Sequence, residues 1–289
     1  MRIAVLADIH ANMQALEAVL ADAKAQCVGG FIVAGDIISD GPSPVEALER
    51  VKNLTPWVIK GNREEYVISH DEGLSPYWAH YRQTSSLLWT YEQLGGNELK
   101  YMKNLPEQLS VPLDSETALR VVHGSPSSTR ELLIPERDMA AVIRAVDSIS
   151  EQALVCGHSH LQWSMTIQGK LVMNPGSLGV HCNKHRQAEY SILNCENGVL
   201  SVEERHVPYD AEAQDRALIT SGLMDAAPEW TLLSFEGNKA GRNYCIEFLR
   251  EAHAAMEQEG RSAPGMIPND IWNSIWKQWQ ERNPVFKRQ

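Results

Sequence analysis

The sequence predicts an α/β protein, because short apolar segments alternate with segments that have helical periodicity. Arg2 to Ala7 is an apolar run typical of a buried parallel strand. Asn12 to Gln26 follows, with apolar residues at helical spacing. The pair Gly29-Gly30 then interrupts the chain before a second apolar segment, Phe31 to Ala34. This order predicts two parallel strands joined by a helix.

The next part of the chain repeats this pattern with another helix and a third strand. A helix that begins near Pro44 leads to a predicted strand from Trp57 to Ile59. The polar residues after the three strands, Asp8, Asp36 and Asn62, are 28 and 26 residues apart, close to the ~30 residues of a strand–helix–strand unit. We therefore expect three parallel strands to bring these residues to one edge, where open α/β sheets bind ligands.

Every polar cluster at these strand ends offers oxygen or imidazole nitrogen atoms, and none contains a thiol. Such a mixture suits Mn, Zn or Fe better than a cysteine-rich structural zinc site. A single Asp after a strand is most often a helix cap or turn residue, but seven such residues in register with strand ends indicate one dinuclear metal site. Asp8 and His10, two apart in extended chain, would face one ion. The clusters are Asp8-Ile9-His10, Gly35-Asp36, Gly61-Asn62, His123-Gly124 and Gly157-His158-Ser159-His160.

These motifs resemble those of calcineurin-like metallophosphoesterases over about residues 1–207. The family pattern is Asp-x-His, Gly-Asp, Gly-Asn-His-Asp/Glu, His-Gly and Gly-His-x-His, and the third motif here reads Gly61-Asn62-Arg63-Glu64. Asn174-Pro175-Gly176-Ser177 resembles a loop of the bacterial and archaeal branch that includes small phosphodiesterases. The resemblance implies a four-layer αββα sandwich of two mixed sheets flanked by helices.

The resemblance also implies which residues hold the metals. Asp8, His10 and His160 would hold the first ion, Asn62, His123 and His158 the second, and Asp36 would bridge them. A shared carboxylate offsets the repulsion between two cations ~3.5–4 Å apart. We expect two divalent ions, with Mn favoured and Zn, Fe or Ni as alternatives, and in-line attack on phosphorus by a metal-bridging hydroxide without a covalent phospho-enzyme.

Arg63 departs from the family pattern, which has His at this position. Arg keeps its proton near neutral pH and cannot act as an acid, but its guanidinium can stabilise a phosphate or leaving group. Alternatively, Arg63 forms a surface ion pair with Glu64 or Glu65. His70 or His80 could supply a proton instead. On this basis we expect a preference for phosphodiesters or activated esters.

Further residues around the predicted site have less specific roles. Arg130, in the polar loop after His123, is a candidate phosphate contact, and a solvated surface arginine is the alternative. His181 and His185 would border the substrate opening without binding metal. Residues 63–107 predict a helical cap of two or three helices, whose aromatic residues either pack in its core or stack on a flat substrate group.

The remaining segments complete the predicted domain organisation. Gln108 to Leu113 and Ala118 to Val122 predict a hairpin, and Pro135 to Val146 a helix. Ala153 to Cys156 predicts the strand that leads to His158 and His160. Four later segments predict short antiparallel strands that form a second sheet against the first: Gln162 to Ile167, Lys170 to Met173, Ala188 to Asn194 and Val199 to Glu204.

Residues 208–289 predict a helical C-terminal extension. Ala211 to Leu223 and Arg242 to Glu259 are predicted helices, and Gly260 to Pro268 is a predicted linker. After it, a final helix carries an apolar stripe that either docks on the core or cap or forms a subunit contact in a homo-oligomer. The stripe consists of Ile271, Trp272, Ile275, Trp276 and Trp279.

Composition limits the kinds of molecule that the protein is expected to bind. The formal net charge of −11 opposes binding of a nucleic acid polymer, which needs a basic surface, but permits a small nucleotide at a metal site. Five cysteines without CxxC spacing are expected to be reduced thiols in a cytoplasmic protein. No apolar stretch approaches ~20 residues, so neither a membrane span nor a signal peptide is expected.

The leading functional prediction is a metal-dependent phosphoesterase that acts on a small phosphorylated substrate, with nucleotide-like diesters among the candidates. One alternative is a non-catalytic metal-binding scaffold of the same fold, as in a retromer subunit that the chain also resembles. A second alternative is a Ser/Thr protein phosphatase, although a cap beside the site suits a small substrate better.

Overall fold

Two mixed β-sheets face each other in the computed structural model, which describes residues 1–261 and 266–287. The first sheet has the strand order β2-β1-β8-β9, in which β1 is parallel to β2 and antiparallel to β8. Its strands are β1 (Arg2–Leu6), β2 (Gly30–Val33), β8 (Ala188–Glu196) and β9 (Val199–Val207).

The second sheet has the order β3-β4-β5-β7-β6, with a parallel centre and antiparallel edges. The predicted hairpin forms its first edge: β3 and β4 pair in antiparallel fashion around a turn in which Asp114 Oδ1 accepts the N–H groups of Glu116 and Thr117 at 2.9 and 2.8 Å. Its strands are β3 (Gln108–Pro112), β4 (Ala118–Val122), β5 (Ala153–Val155), β6 (Gln162–Ile167) and β7 (Lys170–Pro175).

Strand β1 shows why its sequence is apolar at every position. Ile3 and Val5 point into the core between the two sheets, whereas Ala4 and Leu6 pack against the helices on the outer face. Strand β5 is likewise buried on both faces: Val155 faces the other sheet and Leu154 faces an outer helix. These layers form the predicted αββα sandwich, and the predicted fold class is confirmed.

Two details of the predicted sheets are wrong. Trp57 to Ile59 is not a strand: Val58 forms a single parallel bridge with Val33. The late strands do not all form the second sheet either, because β8 and β9 join the first sheet, where β8 pairs with β1. Period-two apolar patterns predict a strand but carry no information about its neighbour, so sequence alone did not assign these strands to sheets.

Helices α1 (Met13–Ala25) and α2 (Pro44–Lys52) cover the outer face of the first sheet, and α6 (Met139–Asp147) covers that of the second. The predicted start of α6 at Pro135 is wrong. The helix begins four residues later, because the Asp138 side chain accepts the N–H of Ala141 at 3.0 Å and caps the first turn.

The segment between α2 and β3 forms the predicted cap region, with helices α3 (Asn62–Asp71), α4 (Ser85–Gln93) and α5 (Gly96–Asn104). Trp78 and Trp89 are buried there. Trp78 packs in the core shared with the first sheet, and Trp89 packs against the C-terminal helices. These two rings therefore serve as core, and they are not available to stack on a substrate.

The C-terminal residues form five helices within the described ranges, including two that sequence analysis did not predict, α8 (Leu223–Ala226) and α9 (Pro228–Ala240). The longer of the two, α9, is buried on almost every side, so it lacks the polar face that reveals a helix by its periodicity. Close packing accounts for Gly237 inside this helix, because a Cβ there would lie 2.5 Å from the carbonyl oxygen of Arg242. The five are α7 (Ala211–Thr220), α8 (Leu223–Ala226), α9 (Pro228–Ala240), α10 (Tyr244–Gln258) and α11 (Asn269–Arg282).

The apolar stripe of α11 packs against another helix of the same chain. Trp272 and Trp279 are buried, and both contact Phe248 of α10 edge to face, with ring centroids 4.7 and 5.6 Å apart. A homo-oligomer through this helix stays a prediction and would need another of its faces. Part of the predicted linker, residues 262–265, lies outside the described residues. Within the ranges that are described, no helix has the length and apolar character required to cross a membrane.

Candidate metal centre

The seven predicted ligands meet at one edge of the two sheets, in the loops that follow β1, β2 and β5, at the end of β4 and at the first residue of α3. Six of them form two groups whose ligand atoms lie within 4.8 Å of one another. The groups are Asp8 with His10 and His160, and Asp36 with His123 and His158. This division matches the pairing that the family resemblance implied.

Asp36 lies between the two groups. Its Oδ1 is 3.4 Å from His123 Nε2, and its Oδ2 is 3.9 Å from His10 Nε2. The seventh residue, Asn62, joins the His123 side, where its Oδ1 is 3.0 Å from His123 Nε2. In the other group, His160 Nε2 is 3.4 Å from Asp8 Oδ1. One carboxylate therefore faces both groups, as a bridging ligand would.

The donor set fits a pair of divalent cations. Asp8 Oδ1 is buried without a hydrogen-bond partner, which is costly for a carboxylate oxygen unless a cation binds it. His123 Nδ1 donates to the carbonyl oxygen of Ala34 at 2.8 Å, and His160 Nδ1 donates to that of Val180 at 3.1 Å. These bonds leave Nε2 of each ring facing the carboxylates, the arrangement typical of metal-binding histidines.

The backbone at this edge has φ values that are unusual for the end of a strand. Left-handed φ values are uncommon for residues other than glycine, cost about 1–3 kcal/mol each and cluster at functional sites. The expectation that Asp8 and His10 share a face of extended chain is therefore wrong, since β1 ends at Leu6 and the turn beyond it aims both side chains inward. Five predicted ligands have positive φ: Asp8 (53°), His10 (48°), Asp36 (51°), His158 (64°) and His160 (57°).

The charges at this edge are strongly coupled. Burial lowers the pKa of His10 and His158 to about 4, with the neighbouring His160 and His123 acting in the same direction, so both rings are neutral. Burial also opposes the charged form of His123, but the Asp36 carboxylate outweighs it and raises the pKa of His123 to about 9. Without cations, protonated histidines thus balance the buried carboxylates.

Comparison with known proteins identifies the family. Residues 1–198 match the sequence profile described as the calcineurin-like phosphoesterase superfamily domain. This chain belongs to the calcineurin-like phosphoesterase superfamily.

Individual relatives are similar to this chain over most of their length. An uncharacterized protein of Methanocaldococcus jannaschii is 26% identical over 247 residues, which cover 79% of this chain and 94% of that protein. The solved structure of a metallophosphoesterase from Sphaerobacter thermophilus is 25% identical with a TM-score of 0.67, covering 83% of this chain and 100% of that one. A hypothetical protein of Pyrococcus horikoshii shares the fold at 22% identity and a TM-score of 0.70, covering 83% and 98%. Family membership indicates phosphoester hydrolysis with divalent metal ions.

In this calcineurin-like phosphoesterase, Glu64 holds the loops that carry two ligands, a role that sequence analysis missed. Its buried carboxylate accepts the N–H groups of Asp36, Ile37 and Gly61 at 2.9, 2.9 and 2.8 Å, and that of Ile38 at 3.2 Å. Burial and the Asp36 charge raise the pKa of Glu64 to about 7, against the opposing effect of these donors. The acidic residue after Asn-x in the third motif was the available signal.

Asp40 is a second residue that sequence analysis missed. It is buried, has a φ of 63° and places Oδ2 3.6 Å from His10 Nδ1, where carboxylates commonly orient metal-binding histidines. The polar turn Ser39-Asp40-Gly41-Pro42 after the second strand was the only hint of it in the sequence.

Arg63 lies beside the candidate bridging carboxylate, and neither of its predicted ion-pair partners binds it. Its Nη2 is 3.0 Å from Asp40 Oδ2 and its Nε is 4.0 Å from Asp36 Oδ2, whereas Glu64 binds main chain and Glu65 accepts a hydrogen bond from Thr129. Burial opposes the Arg63 charge, but Asp40 and Asp36 outweigh it and raise the pKa of the guanidinium. Arg63 is therefore a permanent cation beside the candidate bridging carboxylate.

The other candidate residues stand outside the two ligand groups. Arg130 is exposed and its guanidinium lies 5.0 Å from the centre of the Tyr66 ring, so its role in binding phosphate stays a prediction. His70 is stacked on Trp78 at 4.3 Å and its Nδ1 donates to the carbonyl oxygen of Ser75 at 2.7 Å. His181 is buried, with Nε2 2.8 Å from the Tyr209 hydroxyl.

Proposed function

We propose that this chain is a two-metal phosphoesterase that prefers phosphodiesters or activated phosphate esters. The observation that carries the proposal is the position of Asp36. It faces both ligand groups, and a fixed cation, Arg63, lies beside it where the family pattern has a histidine. Phosphoester hydrolysis itself follows from family membership; the preference for diesters is the new element.

The proposed ligands divide as the geometry groups them. Asp8, His10 and His160 would hold one cation, Asn62, His123 and His158 the other, and Asp36 both. When bound, such cations lower the pKa of a shared water and polarise phosphoryl oxygens. Oxygen and imidazole donors suit Mn²⁺, and Zn²⁺, Fe²⁺ or Ni²⁺ are the alternatives.

The preference for diesters rests on residue 63, where an arginine replaces the histidine of the family pattern and cannot protonate the leaving group. Arg63 can stabilise charge on the phosphate but holds its proton at neutral pH. In the described part of the chain, neither His70 nor His80 has a hydrogen bond or ring contact with a candidate ligand. Hydrolysis would therefore favour leaving groups that depart without protonation.

The substrate class that fits these features is a small phosphorylated molecule, including nucleotide-like diesters. The net charge of −11 opposes a nucleic acid polymer, which binds through many phosphate contacts to a basic surface. A small anion needs only the local positive charge of Arg63 and the cations.

Hydrolysis of p-nitrophenyl phosphate and bis(p-nitrophenyl) phosphate by the Mn²⁺-loaded protein tests the proposal. We expect the diester to react faster, EDTA to abolish the activity and added Mn²⁺ to restore it. Asp36→Asn should lower kcat by at least about 100-fold, because the shared anionic ligand is lost. Asp138→Asn, which keeps the cap of α6, is the matched control and should retain the wild-type rate. Failure of the metal-loaded protein to hydrolyse either ester would favour a scaffold role.

Replacing Arg63 with His tests the cause of the preference. If the missing acid limits monoester hydrolysis, Arg63→His should raise kcat on phenyl phosphate, a monoester with a poor leaving group, by about tenfold or more. The ratio of diester to monoester rates should fall accordingly. An unchanged rate on phenyl phosphate would show that position 63 does not set the preference.

A further inference from the structure

We propose that Asp40 is a positioning residue for Arg63, and that the C-terminal extension and residues of α4 hold Asp40 in place. The extension would thereby complete the active site of the enzyme, although its residues provide no metal ligand. This inference rests on the proposed function in one respect only, namely that Arg63 binds the phosphate of the substrate.

The two oxygens of Asp40 have separate sets of partners. Oδ1 accepts the indole N–H of Trp230 at 2.8 Å and the hydroxyl of Ser86 at 3.1 Å, and both bonds are buried. Oδ2 is 3.0 Å from Arg63 Nη2, its nearest charged neighbour, and 3.6 Å from His10 Nδ1. Because the two donors fix Oδ1, the carboxylate plane cannot rotate freely, and the position of Oδ2 is fixed as well.

Arg63 is held on one side and free on the other. Its Nη2 is bound to Asp40, whereas its Nε is buried without a hydrogen-bond partner and lies 4.0 Å from Asp36 Oδ2. The guanidinium carbon is 5.8 Å from the centre of the Trp230 ring, so the same indole that holds Asp40 also covers the guanidinium. Arg63 therefore offers a positive charge and an N–H without a partner beside the candidate bridging ligand. A phosphoryl oxygen binds to groups of this kind.

The helix that carries Trp230 is itself fixed to the phosphoesterase domain. The residue before it, Glu229, forms an ion pair with Arg82. Near the other end of α9, Asn238 accepts the N–H of His181 at 2.9 Å and donates to the carbonyl oxygen of Gly179 at 3.3 Å. Trp230 therefore reaches Asp40 from a rigid support.

Measurements of phosphate binding by two variants, Trp230→Phe and Ser86→Ala, test the inference. Each substitution is made both with Arg63 present and in an Arg63→Met background. Isothermal titration calorimetry with inorganic phosphate would use protein loaded with Mn²⁺ and freed of excess metal, with metal content measured for every variant. With Arg63 present, each substitution should weaken phosphate binding by about tenfold or more, because losing a hydrogen bond to the Asp40 carboxylate leaves Arg63 less firmly positioned. In the Arg63→Met background the loss should be less than about twofold, because the group being positioned is absent.

Two variants control for general effects on folding. Trp279→Phe removes another buried indole of the extension, whose N–H has no hydrogen-bond partner, and Ser85→Ala removes the neighbouring hydroxyl on α4, which bonds to the carbonyl oxygen of Arg82. Both should leave phosphate binding unchanged. Ser86→Ala keeps the test decisive if Trp230→Phe fails to fold.

Equal losses with and without Arg63, or no loss in either background, would overturn the positioning role. The calorimetric measurement does not require turnover, so the two proposals fail separately. Coupled effects on phosphate binding in a protein that hydrolyses no ester would refute the proposed function alone. Ester hydrolysis without coupling would refute the positioning role alone.

Discussion

His181 is a fully buried histidine beside the candidate metal centre, and only one of its ring nitrogens has a partner. Nε2 bonds with the Tyr209 hydroxyl, while Nδ1 is buried without a hydrogen bond. Burial, with smaller contributions from Arg186 and His160, lowers the pKa of His181 to about 3. The folded protein therefore holds this ring in its neutral form over the pH range in which an unfolded histidine binds a proton.

The pH dependence of stability should reveal this residue. Below a pKa of about 6.5 the unfolded chain binds a proton that folded His181 does not, so the free energy of unfolding falls as the pH drops from 6.5 towards 3. By this linkage, His181 costs about 2 kcal/mol at pH 5 and almost nothing at pH 7.5. We expect the stability difference between the wild type and His181→Gln to shift by that amount in favour of the variant between these two pH values.

Urea unfolding followed by circular dichroism at pH 7.5 and pH 5 provides the measurement. The same replacement at the half-exposed His206 is the matched control. A stability difference for His181→Gln that stays constant across this interval would contradict the account of His181.

Gly237 allows α9 to lie close to the loop that follows the helix. The helix ends at Ala240, and the loop after it returns so closely that a Cβ on Gly237 would meet the carbonyl oxygen of Arg242 at 2.5 Å. The N–H of Arg242 also donates to the carbonyl oxygen of Gly237 at 3.0 Å. The glycine thus allows a hydrogen-bonded return of the backbone that any larger residue would displace.

Gly237→Ala should destabilise the protein by about 1–3 kcal/mol despite the higher helix propensity of alanine, because main chain rather than a flexible side chain must move. Gly96→Ala, at the first residue of α5 with nothing within 4 Å of the new Cβ, is the control and should leave stability unchanged or raise it by up to about 1 kcal/mol. Thermal unfolding monitored by circular dichroism would compare the two. Equal stability of both variants would show that the loop after α9 adapts freely.

The elements differ in how far the sequence alone could predict them. Strands such as β1 and β5 are recognisable because burial on both faces leaves an uninterrupted apolar run. Their polar ends predicted the group of residues that meets around Asp36. Helix α9 left no such signal, since a helix buried on almost every side shows little periodicity. One contact of Asp40, the hydrogen bond from Trp230, comes from a segment 190 residues away. Sequence spacing could not anticipate a contact of that kind.

The extension and the metallophosphoesterase core share buried contacts over the whole molecule. Trp89 of α4 packs in the same apolar cluster as Leu233 and Phe248 of the extension, and the buried bond between Trp230 and Asp40 joins the extension to the metal edge. The predicted boundary near residue 208 therefore does not divide two independent hydrophobic cores.

Coincident unfolding of both parts is the expected consequence. Far-UV circular dichroism reports all helices and strands, whereas tryptophan fluorescence is weighted towards the extension, which contains four of the eight tryptophans. In urea, the two transitions should have the same midpoint within about 0.2 M, because shared buried contacts make unfolding cooperative. An earlier fluorescence transition would show that the extension unfolds by itself.

The four main-chain bonds of Glu64 have an evolutionary consequence. They fasten the backbone around Asp36 and Gly61 without the side chain of residue 63, whose main-chain N–H also binds Asp36 Oδ1 at 2.9 Å. If residue 63 sets the leaving-group preference as proposed, an exchange between histidine and arginine at this position would change which esters are cleaved while the ligand geometry persists. One nucleotide change in a histidine codon yields an arginine codon, so the proposed difference in preference would need only one mutational step.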